Sequence, residues 1–562
     1  MMDFVINRNL LRIGILAAAS AVTQAPGEPA EPDVLRAGLP KMFAGSNQCI
    51  ACHNDLHTAT GEDVSISADW RSSMMAHSAA DPYWQAAVRR ETIEHPAARR
   101  AIQDECAKCH MPMSRFRAHA AGTNGEIFAH LPLTAGQPGL DRKAPTPAGQ
   151  LAAEGVSCVV CHQILPDKLG REESFTGGFE IDTATPAGRR RIFGPYEVDQ
   201  GRRRVMQSAS TFVPEQHTHI QRSAFCASCH TLYTHTLGPD GEVIGELPEQ
   251  VPYLEWRHSR YPRSESCQDC HMPELNEPTE ITSTLGRDRH PFSRHTFRGG
   301  NFFMLRLLRQ HRELPGVTAP AADLQTTTDR TIQHLQTQSA RLEIKDPRLT
   351  GGELRFILRV RNLAGHKLPT AYPSRRCWLD VTVRDDAGKV LFRSGALQPD
   401  GSLAGNRNDR DPRQFEPHYR VIRRPEEVQI YEAIMATEAG EVTTGLLSAV
   451  RFIKDNRVLP EGFQKGTAAD DIAVQGEAAA DASFADGADE VLYLVEAPEE
   501  PRPLRVEARL YYQPIGFRWA HNLAPFDAAE PQRFLSLYQA MSTKSALVLA
   551  EAAATVKPES EG

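Results

Sequence analysis

The chain has 562 residues, of which 41% are hydrophobic and 24% are charged, and its formal net charge is -8. This composition is typical of soluble folded proteins and excludes a chain that is disordered throughout. Its length is sufficient for two or three domains. A general nucleic-acid binder would carry a basic surface, so the acidic balance argues against nucleic acid as a partner.

The first residues have the pattern of a signal peptide. Arg8 and Arg12 precede an apolar run over 13–22, and small residues follow it. The run is shorter than the ~20 apolar residues that a spanning helix needs, which favours removal over membrane anchoring. We therefore predict a signal peptide at 1–25, no transmembrane segment after its removal, and a periplasmic or secreted bacterial protein. Residues 26–45 are rich in Pro, Ala and Gly and are predicted to be a linker.

One five-residue pattern, Cys-x-x-Cys-His, occurs five times in the first half of the chain. Its cysteines are Cys49 and Cys52, Cys106 and Cys109, Cys158 and Cys161, Cys226 and Cys229, and Cys267 and Cys270. The histidines that follow them are His53, His110, His162, His230 and His271.

This pattern is the attachment site of c-type haem, in which the thiols bond the porphyrin and the histidine is the proximal ligand of the iron. Zinc sites pair Cys-x-x-Cys with a second half-site at looser spacing, and a dithiol redox pair has no use for a neighbouring imidazole. We therefore predict five covalently bound haem c groups. Only Cys377 lies outside the motifs, and a lone cysteine is usually a small buried apolar side chain.

The motifs define a pentahaem cytochrome c domain, which we place at 46–312. Five sites in a stretch of this length leave little polypeptide for a core of side chains, so porphyrins must form much of it. We expect mostly α-helical and irregular structure with little sheet. The clearest helix signal is Asp81, a candidate N-cap followed by proline, with a helix over 83–105. Segments 121–149 and 176–204 are predicted to be loops at haem edges.

From about residue 340 the apolar residues recur with period two, which is typical of half-buried strands. Leu354, Phe356, Leu358 and Val360 alternate with Arg355, Ile357, Arg359 and Arg361, of which only Ile357 departs from the pattern. Further strands are predicted at 378–384 and 390–394, around a hairpin turn, and at 490–496 and 504–512.

Repeated strands with Gly and Pro turns predict a β-sandwich-like domain at 340–527. Apolar residues at helical spacing after Pro531 predict a helix packed on this domain. The whole chain is thus predicted to be multidomain, with a haem-rich, mostly α and irregular domain followed by the β domain and a C-terminal helix. The remaining predicted segments are a linker at 313–339, an exposed charged loop at 399–427, the C-terminal helix at 528–556 and a tail at 557–562.

The sixth ligand decides the chemistry of each iron, because an iron with imidazole on both faces only passes electrons, whereas an open face binds a substrate. Twelve further histidines lie in the haem region. They are His57, His77, His95, His119, His130, His217, His219, His235, His258, His290, His295 and His311. A methionine ligand would raise the potential of a haem, although methionine near a porphyrin is more often packing. The candidates are Met74, Met75, Met111 and Met272.

Five segments of this chain resemble segments of multihaem cytochromes c. They are Trp70 to His77, Gly155 to Ser157, Arg294 to Asn301, Gly365 to Thr370 and Lys454 to Arg457. The superfamily includes tetrahaem electron carriers and octahaem hydroxylamine oxidoreductase. The sequence is more similar to exported pentahaem proteins with a C-terminal β domain. The resemblance implies that His77, His130, His219 and His295 are distal ligands.

His366 lies in the β domain and is a further candidate distal ligand, because it could reach over the haem domain and ligate an iron. A turn-stabilising role for His366 is an equal alternative. His217 competes with His219 for the same role, and His57 either serves a neighbouring haem or faces solvent.

Five closely spaced haems predict a protein that transfers electrons between redox protein partners. One alternative is a multihaem oxidoreductase that acts on a small nitrogen or sulfur compound at one open iron. The pentahaem nitrite reductases resemble this chain in haem number but replace one proximal histidine by lysine, whereas all five motifs here end in histidine. A second alternative is a haem-wire subunit of a larger complex or filament. No catalytic side chain is predicted, and the partners and oligomeric state are left open.

Overall fold

The computed structural model describes residues 42–133 and 146–558. The predicted signal peptide and most of the predicted linker at 26–45 lie outside these residues, as does part of the predicted loop at 121–149. Within the described ranges, no helix combines the length and apolar character that crossing a bilayer requires.

The region of the haem motifs is built from short helices, and each motif overlaps one of them. The α-helices are Asn47–Ile50, Ile66–Arg71, Pro82–Glu94, Arg99–His110, Pro112–Ala120, Pro147–Ala153, Cys158–Cys161, Gln200–Ser210, Ser223–His230, Pro252–Arg257, Cys267–His271 and Phe302–Gln310. Single 3-10 turns are Pro96–Ala98, Phe128–His130, Glu172–Ser174, Thr218–Gln221 and Tyr261–Arg263.

The N-cap predicted at Asp81 is confirmed. Its carboxylate accepts hydrogen bonds from the backbone N–H groups of Tyr83 at 2.8 Å and Trp84 at 3.2 Å, which begins the helix Pro82–Glu94. Burial raises the pKa of Asp81 to about 6.

The single helix predicted over 83–105 is wrong. The first helix ends at Glu94, and a second helix, Arg99–His110, leads into the second motif. The break falls at Pro96, which has no backbone N–H for a helical hydrogen bond and restricts the residue before it.

Among the described residues of this region, sheet is limited to two-stranded pairs, as expected. The pairs are Arg190–Gly194 with Phe212–Gln216, Leu232–Leu237 with Val243–Gln250, Glu274–Leu275 with Phe292–Ser293, and Thr279–Glu280 with Asp288–Arg289. The segment 176–204 is therefore not wholly a loop, because it contains one of these strands and the start of the helix Gln200–Ser210.

The segment predicted as a linker at 313–339 contains the 18-residue helix Ala321–Gln338. Leu324, Thr331 and Leu335 are buried along one side of it at helical spacing. Threonines occupy much of the buried side, so the apolar periodicity in the sequence is weak although the helix is packed.

Two larger sheets follow. The four-stranded sheet has the order Val421–Ile422, Ala488–Glu496, Glu353–Asn362 and Ala340–Thr350. The five-stranded sheet has the order Val390–Ser394, Arg376–Asp385, Leu504–Gln513 and Leu547–Val556, with Ile430–Tyr431 paired to Arg376–Asp385. A three-stranded sheet has the order Val442–Thr443, Ala433–Ala436 and Arg451–Asp455.

The strands predicted from period-two alternation are confirmed in the described chain, and the two larger sheets bury side chains in one shared cluster. Phe356 and Tyr493 of the four-stranded sheet have ring centres 5.1 Å apart. Phe392 of the five-stranded sheet meets Tyr493 edge-on at 6.3 Å. The predicted hairpin turn is present, with Gly388 at φ 83°.

The predicted exposed loop at 399–427 is not solvated throughout. Arg376 of the five-stranded sheet donates to Asp409 at 2.8 Å, and both side chains are buried. Glu416 and His418 are also buried. Some charges of this segment thus pair with residues distant in sequence, whereas Arg413 and Arg424 are exposed and pair locally with Asp411 and Glu427.

The predicted C-terminal helix at 528–556 is correct only in its first half. The helix is Ala529–Met541, and the strand Leu547–Val556 then joins the five-stranded sheet. The remaining helices of this half are Arg407–Arg410 and Phe517–His521, and its 3-10 turns are Lys465–Thr467, Asp470–Ile472, Gly476–Ala480 and Ser542–Lys544.

The described residues, 42–133 and 146–558, belong to one compact unit. The last part of the predicted linker belongs to its packing, because Met42, Phe43 and Ala44 are buried against the side chains of Met113 and others.

Candidate haem sites

The five motif histidines line one continuous cavity of about 2180 Å³. Nine of the ten motif cysteines line it as well, with Cys52 as the exception. Pockets for single drug-sized ligands enclose roughly 300–1,000 Å³. The cavity is therefore too large for one such ligand, and its lining fits several covalently attached groups.

Helical geometry explains how the motifs present their thiols. Residues i and i+3 of a helix lie on the same face, so the two cysteines of a motif within a helix point to the same side. The first motif differs, because its helix ends at Ile50, before Cys52. In the helix Cys158–Cys161 the motif itself forms the turn, and in Ser223–His230 it forms the last turn.

Four of the five motif histidines direct Nδ1 at a backbone carbonyl oxygen. The pairs are His53 with Ile281 at 2.6 Å, His110 with Ser78 at 2.9 Å, His162 with Phe193 at 2.6 Å, and His271 with Arg298. Nδ1 must carry the proton in such a bond, so Nε2 keeps its lone pair for a metal. Among the described residues no carbonyl takes this role for His230.

Burial keeps these imidazoles neutral. It lowers the pKa of all five, to about 4 for His110 and to about 3 for His271. A neutral imidazole is the form that ligates a metal.

Two candidate distal ligands face motif histidines across the cavity. The ring centres of His162 and His295 are 6.3 Å apart with planes inclined by 18°. His271 and His366 have the same separation of 6.3 Å and an inclination of 11°. A ligating imidazole nitrogen lies about 2 Å from its metal, with the ring centre about 1 Å behind it. Two imidazoles on one iron therefore have centres about 6 Å apart, and both pairs fit this spacing.

A further histidine near His271 was missed in the sequence. His334 lies on the helix Ala321–Gln338 with its ring centre 6.0 Å from that of His271, and it lines the cavity. Its Nδ1 is 3.0 Å from the side-chain oxygen of Gln338. Because the segment was predicted to be a linker, its histidine was not considered as a ligand.

The candidate distal ligands His77, His130 and His219 lie outside the lining of the cavity. Nδ1 of His77 is 2.9 Å from the carbonyl of Ser73, and its buried Nε2 has no protein partner. Nε2 of His130 is 3.0 Å from the hydroxyl of Ser114.

His219 has both ring nitrogens engaged, with His217 at 2.7 Å and the carbonyl of Ile164 at 2.8 Å. His57 is about half exposed and lies 3.7 Å from Asp55. Of the candidate methionines, Met74, Met75 and Met272 line the cavity, whereas Met111 is buried outside its lining.

Thiols of different motifs lie next to one another. Cys49 lies close enough to Cys158, Cys109 to Cys229, and Cys226 to Cys267 for the thiols of each pair to shift one another's pKa. The first motif is thus beside the third, and the fourth is beside both the second and the fifth.

The fourth motif also adjoins the third, because Cys161 lies close enough to raise the pKa of Cys226 and of Cys229 electrostatically. The fourth motif therefore neighbours three of the other four.

A second cluster of potential metal ligands lies among the sheets and consists of His418, Asp481 and Asp489. Nδ1 of His418 accepts hydrogen bonds from the amides of Gln429 at 3.0 Å and Asn456 at 3.2 Å. The proton of the neutral ring is therefore on Nε2, which faces the two carboxylates. A ring that is protonated there is a hydrogen-bond donor and does not fit a metal ligand.

No family model and no curated protein matches the sequence. The structure is similar to the crystal structure of a penta-haem cytochrome c552 from Thermochromatium tepidum, with a TM-score of 0.50 and 18% sequence identity. The match covers 92% of this chain and 100% of that chain, so it extends well beyond the motif region. The helices and several β-sheets of this chain therefore share the fold of a multihaem cytochrome c.

Proposed function

We propose that this protein is an exported c-type cytochrome that carries five covalent haems and transfers electrons between redox partners. The observation that carries the proposal is the single cavity lined by all five motif histidines. Bound haem supplies an iron that alternates between the ferric and ferrous states. The chain's own role is to attach each porphyrin, ligate its iron and keep the groups close to one another.

The proposed axial pairs are His162 with His295 and His271 with His366, supported by their ring separations of 6.3 Å. His77 remains a proposed distal ligand, because its Nε2 is buried without a protein partner. His130 and His219 would have to exchange a hydrogen bond within the protein for a metal bond.

The neighbouring thiols support an order for electron transfer. Electrons would pass from the first motif through the third to the fourth, and from there to the second or the fifth. The fourth haem would then be the branch point. This order needs no acid, base or nucleophile on the protein.

The cellular location and the wider relationship belong to the same proposal. Covalent haem attachment takes place outside the cytoplasmic membrane in bacteria, which supports the predicted signal peptide and a periplasmic or secreted protein. The five segments that resemble those of multihaem cytochromes c support membership of the superfamily that includes hydroxylamine oxidoreductase.

Mass spectrometry and electron paramagnetic resonance of the purified holoprotein test this function. We expect the mass of five haems and only low-spin ferric signals, unchanged by nitrite, hydroxylamine or sulfite. Fewer covalent haems would overturn the five-haem proposal.

One observation favours the second candidate, an oxidoreductase for a small nitrogen or sulfur compound. Arg375 forms no ion pair among the described residues, lines the cavity and lies close enough to lower the pKa of His230, after the larger effect of burial. An unpaired guanidinium near an open iron would bind an anion. A high-spin signal that shifts when nitrite or sulfite is added would favour this candidate over the electron carrier.

A substitution tests one axial pair directly. His295→Met should retain five haems and raise one midpoint potential, because a thioether ligand stabilises the ferrous iron. An unchanged redox titration would remove His295 from the proposed ligands.

A further inference from the structure

Four charged side chains form a buried network between the motif region and the sheets. Asp455 accepts from Lys367 at 2.6 Å and from Arg457 at 2.7 and 2.8 Å. Arg457 also pairs with Glu255 at 3.0 Å. The side chains are between 0% and 7% exposed. We call these four residues the buried charge network.

The network joins segments that are far apart in sequence. Glu255 lies on the helix Pro252–Arg257 of the motif region, Lys367 on the segment that carries His366, and Asp455 at the end of the strand Arg451–Asp455. Its two cations and two anions are balanced. The network also gives a role to two segments, 365–370 and 454–457, that the haem motifs leave without one.

Stability alone is a weak reason for such a network. Removing charges from water costs several kcal/mol per ion, and replacing buried ion pairs by apolar side chains is often neutral or stabilising. Buried charges instead restrict geometry, because each must keep its partners or bear the full cost of desolvation.

The buried charge network restricts the conformation of the backbone on both sides of His366. Glu255 accepts hydrogen bonds from the backbone N–H of Lys367 at 3.1 Å and from the hydroxyl of Thr370 at 2.5 Å. The side chain of Asn362 donates to the carbonyl of His366 at 2.7 Å. Nδ1 of His366 is itself 3.0 Å from the carbonyl of Lys367, so Nε2 keeps its lone pair, and His366 lines the cavity.

We propose that the buried charge network is a positioning device that holds His366 as the distal ligand of the iron at His271. This inference rests on the proposed function, in which His366 ligates that iron. Glu255, Lys367, Asp455 and Arg457 are positioning residues, since they act on the iron through His366.

His334 makes precise positioning necessary. Its ring centre is 6.0 Å from that of His271, which is as close as that of His366. Only one imidazole can occupy the distal face of one iron. The ring of His366 is nearly parallel to that of His271, whereas the ring of His334 is inclined by 58°. Without the network, His334 would compete for the iron.

The test therefore uses the full-length holoprotein with His334→Ala, in which His334 cannot replace a lost ligand. Asp455→Asn is added to leave Lys367 and Arg457 without their shared anion. Lys367→Met is the milder variant, because Asp455 keeps its two bonds to Arg457. The matched control is Asp409→Asn, which breaks the buried Arg376–Asp409 pair away from the cavity.

Electron paramagnetic resonance and a redox titration are recorded for each variant after haem content is confirmed. We expect His334→Ala alone and with Asp409→Asn to stay low-spin. Asp455→Asn and Lys367→Met should each convert a fraction of one haem equivalent to high spin, and free imidazole should restore the low-spin signal. If Asp455→Asn does not fold, Lys367→Met alone decides.

Spectra of both network variants that match the control would overturn the positioning role while leaving the electron-transfer proposal intact. A high-spin signal in His334→Ala alone would show that His334 is the ligand, and would remove His366 from the proposed function together with this inference.

Discussion

The sheets are filled with large side chains, whereas the helices of the motif region surround a cavity of about 2180 Å³. Trp378, Tyr431, Tyr493 and Phe356 are among the largest fully buried side chains, and all four lie in the two larger sheets. The sheets have a core of their own side chains, whereas in the proposed function bound porphyrins fill the interior of the motif region.

The largest expected effect is loss of the protease-resistant fold of the motif region when one haem can no longer attach. Cys226→Ala with Cys229→Ala removes both attachment thiols of the fourth motif, which adjoins three others. We expect the motif region to lose its protease-resistant fold, because a missing porphyrin leaves a void between several haem sites. Limited proteolysis and haem quantification measure this.

Cys229→Ser is the graded control, since one thioether can still form. It should weaken haem retention and protease resistance less than the double substitution. Normal resistance in the double variant, with one haem fewer, would show that this haem is not structural.

Truncation of a side chain in the core of the sheets should lower the stability of the protein without affecting its haem groups. Trp378 is 0% exposed and donates from Nε1 to the carbonyl of Gly395 at 2.9 Å. Trp378→Ala should cost about 3–5 kcal/mol of unfolding free energy without changing the haem spectra. Val390→Ala on an exposed position is the matched control and should cost less than about 0.5 kcal/mol. An altered haem spectrum in Trp378→Ala would contradict the view that the core of the sheets is independent of the haem sites.

Much of the sheet region was predictable because its strands and turns depend on interactions between residues close together in the sequence. The alternation of Leu354, Phe356, Leu358 and Val360 records which side of a strand is buried, and those four side chains are all buried. The turn at Gly388 and the cap at Asp81 are likewise set by neighbours in sequence.

The helix break at Pro96 is local, but the other failures share a physical cause, which is contact between distant segments. The loop at 399–427 was predicted to be exposed because it is charged and irregular, but Asp409 pairs with the distant Arg376 and both are buried. The helix that carries His334 is stabilised by packing rather than by its own apolar pattern. The motifs predict where haem attaches, but which imidazole lies opposite each motif histidine depends on the folded chain, as the facing rings of His271 and His366 illustrate.

The boundary between the two regions should respond to pH through Glu91. Burial raises the pKa of Glu91 to about 7, and its carboxylate accepts a hydrogen bond from the backbone N–H of Leu446 at 2.9 Å. Because the folded pKa is raised above the usual 4.5, the stabilising contribution is complete below pH 4.5 and is lost as pH rises through 7.

Glu91→Gln removes this titration and keeps an acceptor for Leu446. The unfolding free energy of the native protein should fall relative to this variant by about 3 kcal/mol between pH 4.5 and pH 8. Denaturant titrations at several pH values measure the difference. A constant difference across this range would mean that Glu91 is charged throughout.

The smallest effect is expected at the N-cap of the helix Pro82–Glu94. Asp81→Ala removes the acceptor for the backbone N–H groups of Tyr83 and Trp84 and should cost about 1 kcal/mol. Asp81→Asn is the matched control, because its side-chain oxygen still accepts these bonds. If both substitutions cost the same, the buried charge of Asp81 rather than its capping bonds would account for the loss. A small, cap-specific cost would show that helices of the motif region depend on local interactions as well as on the proposed haem groups.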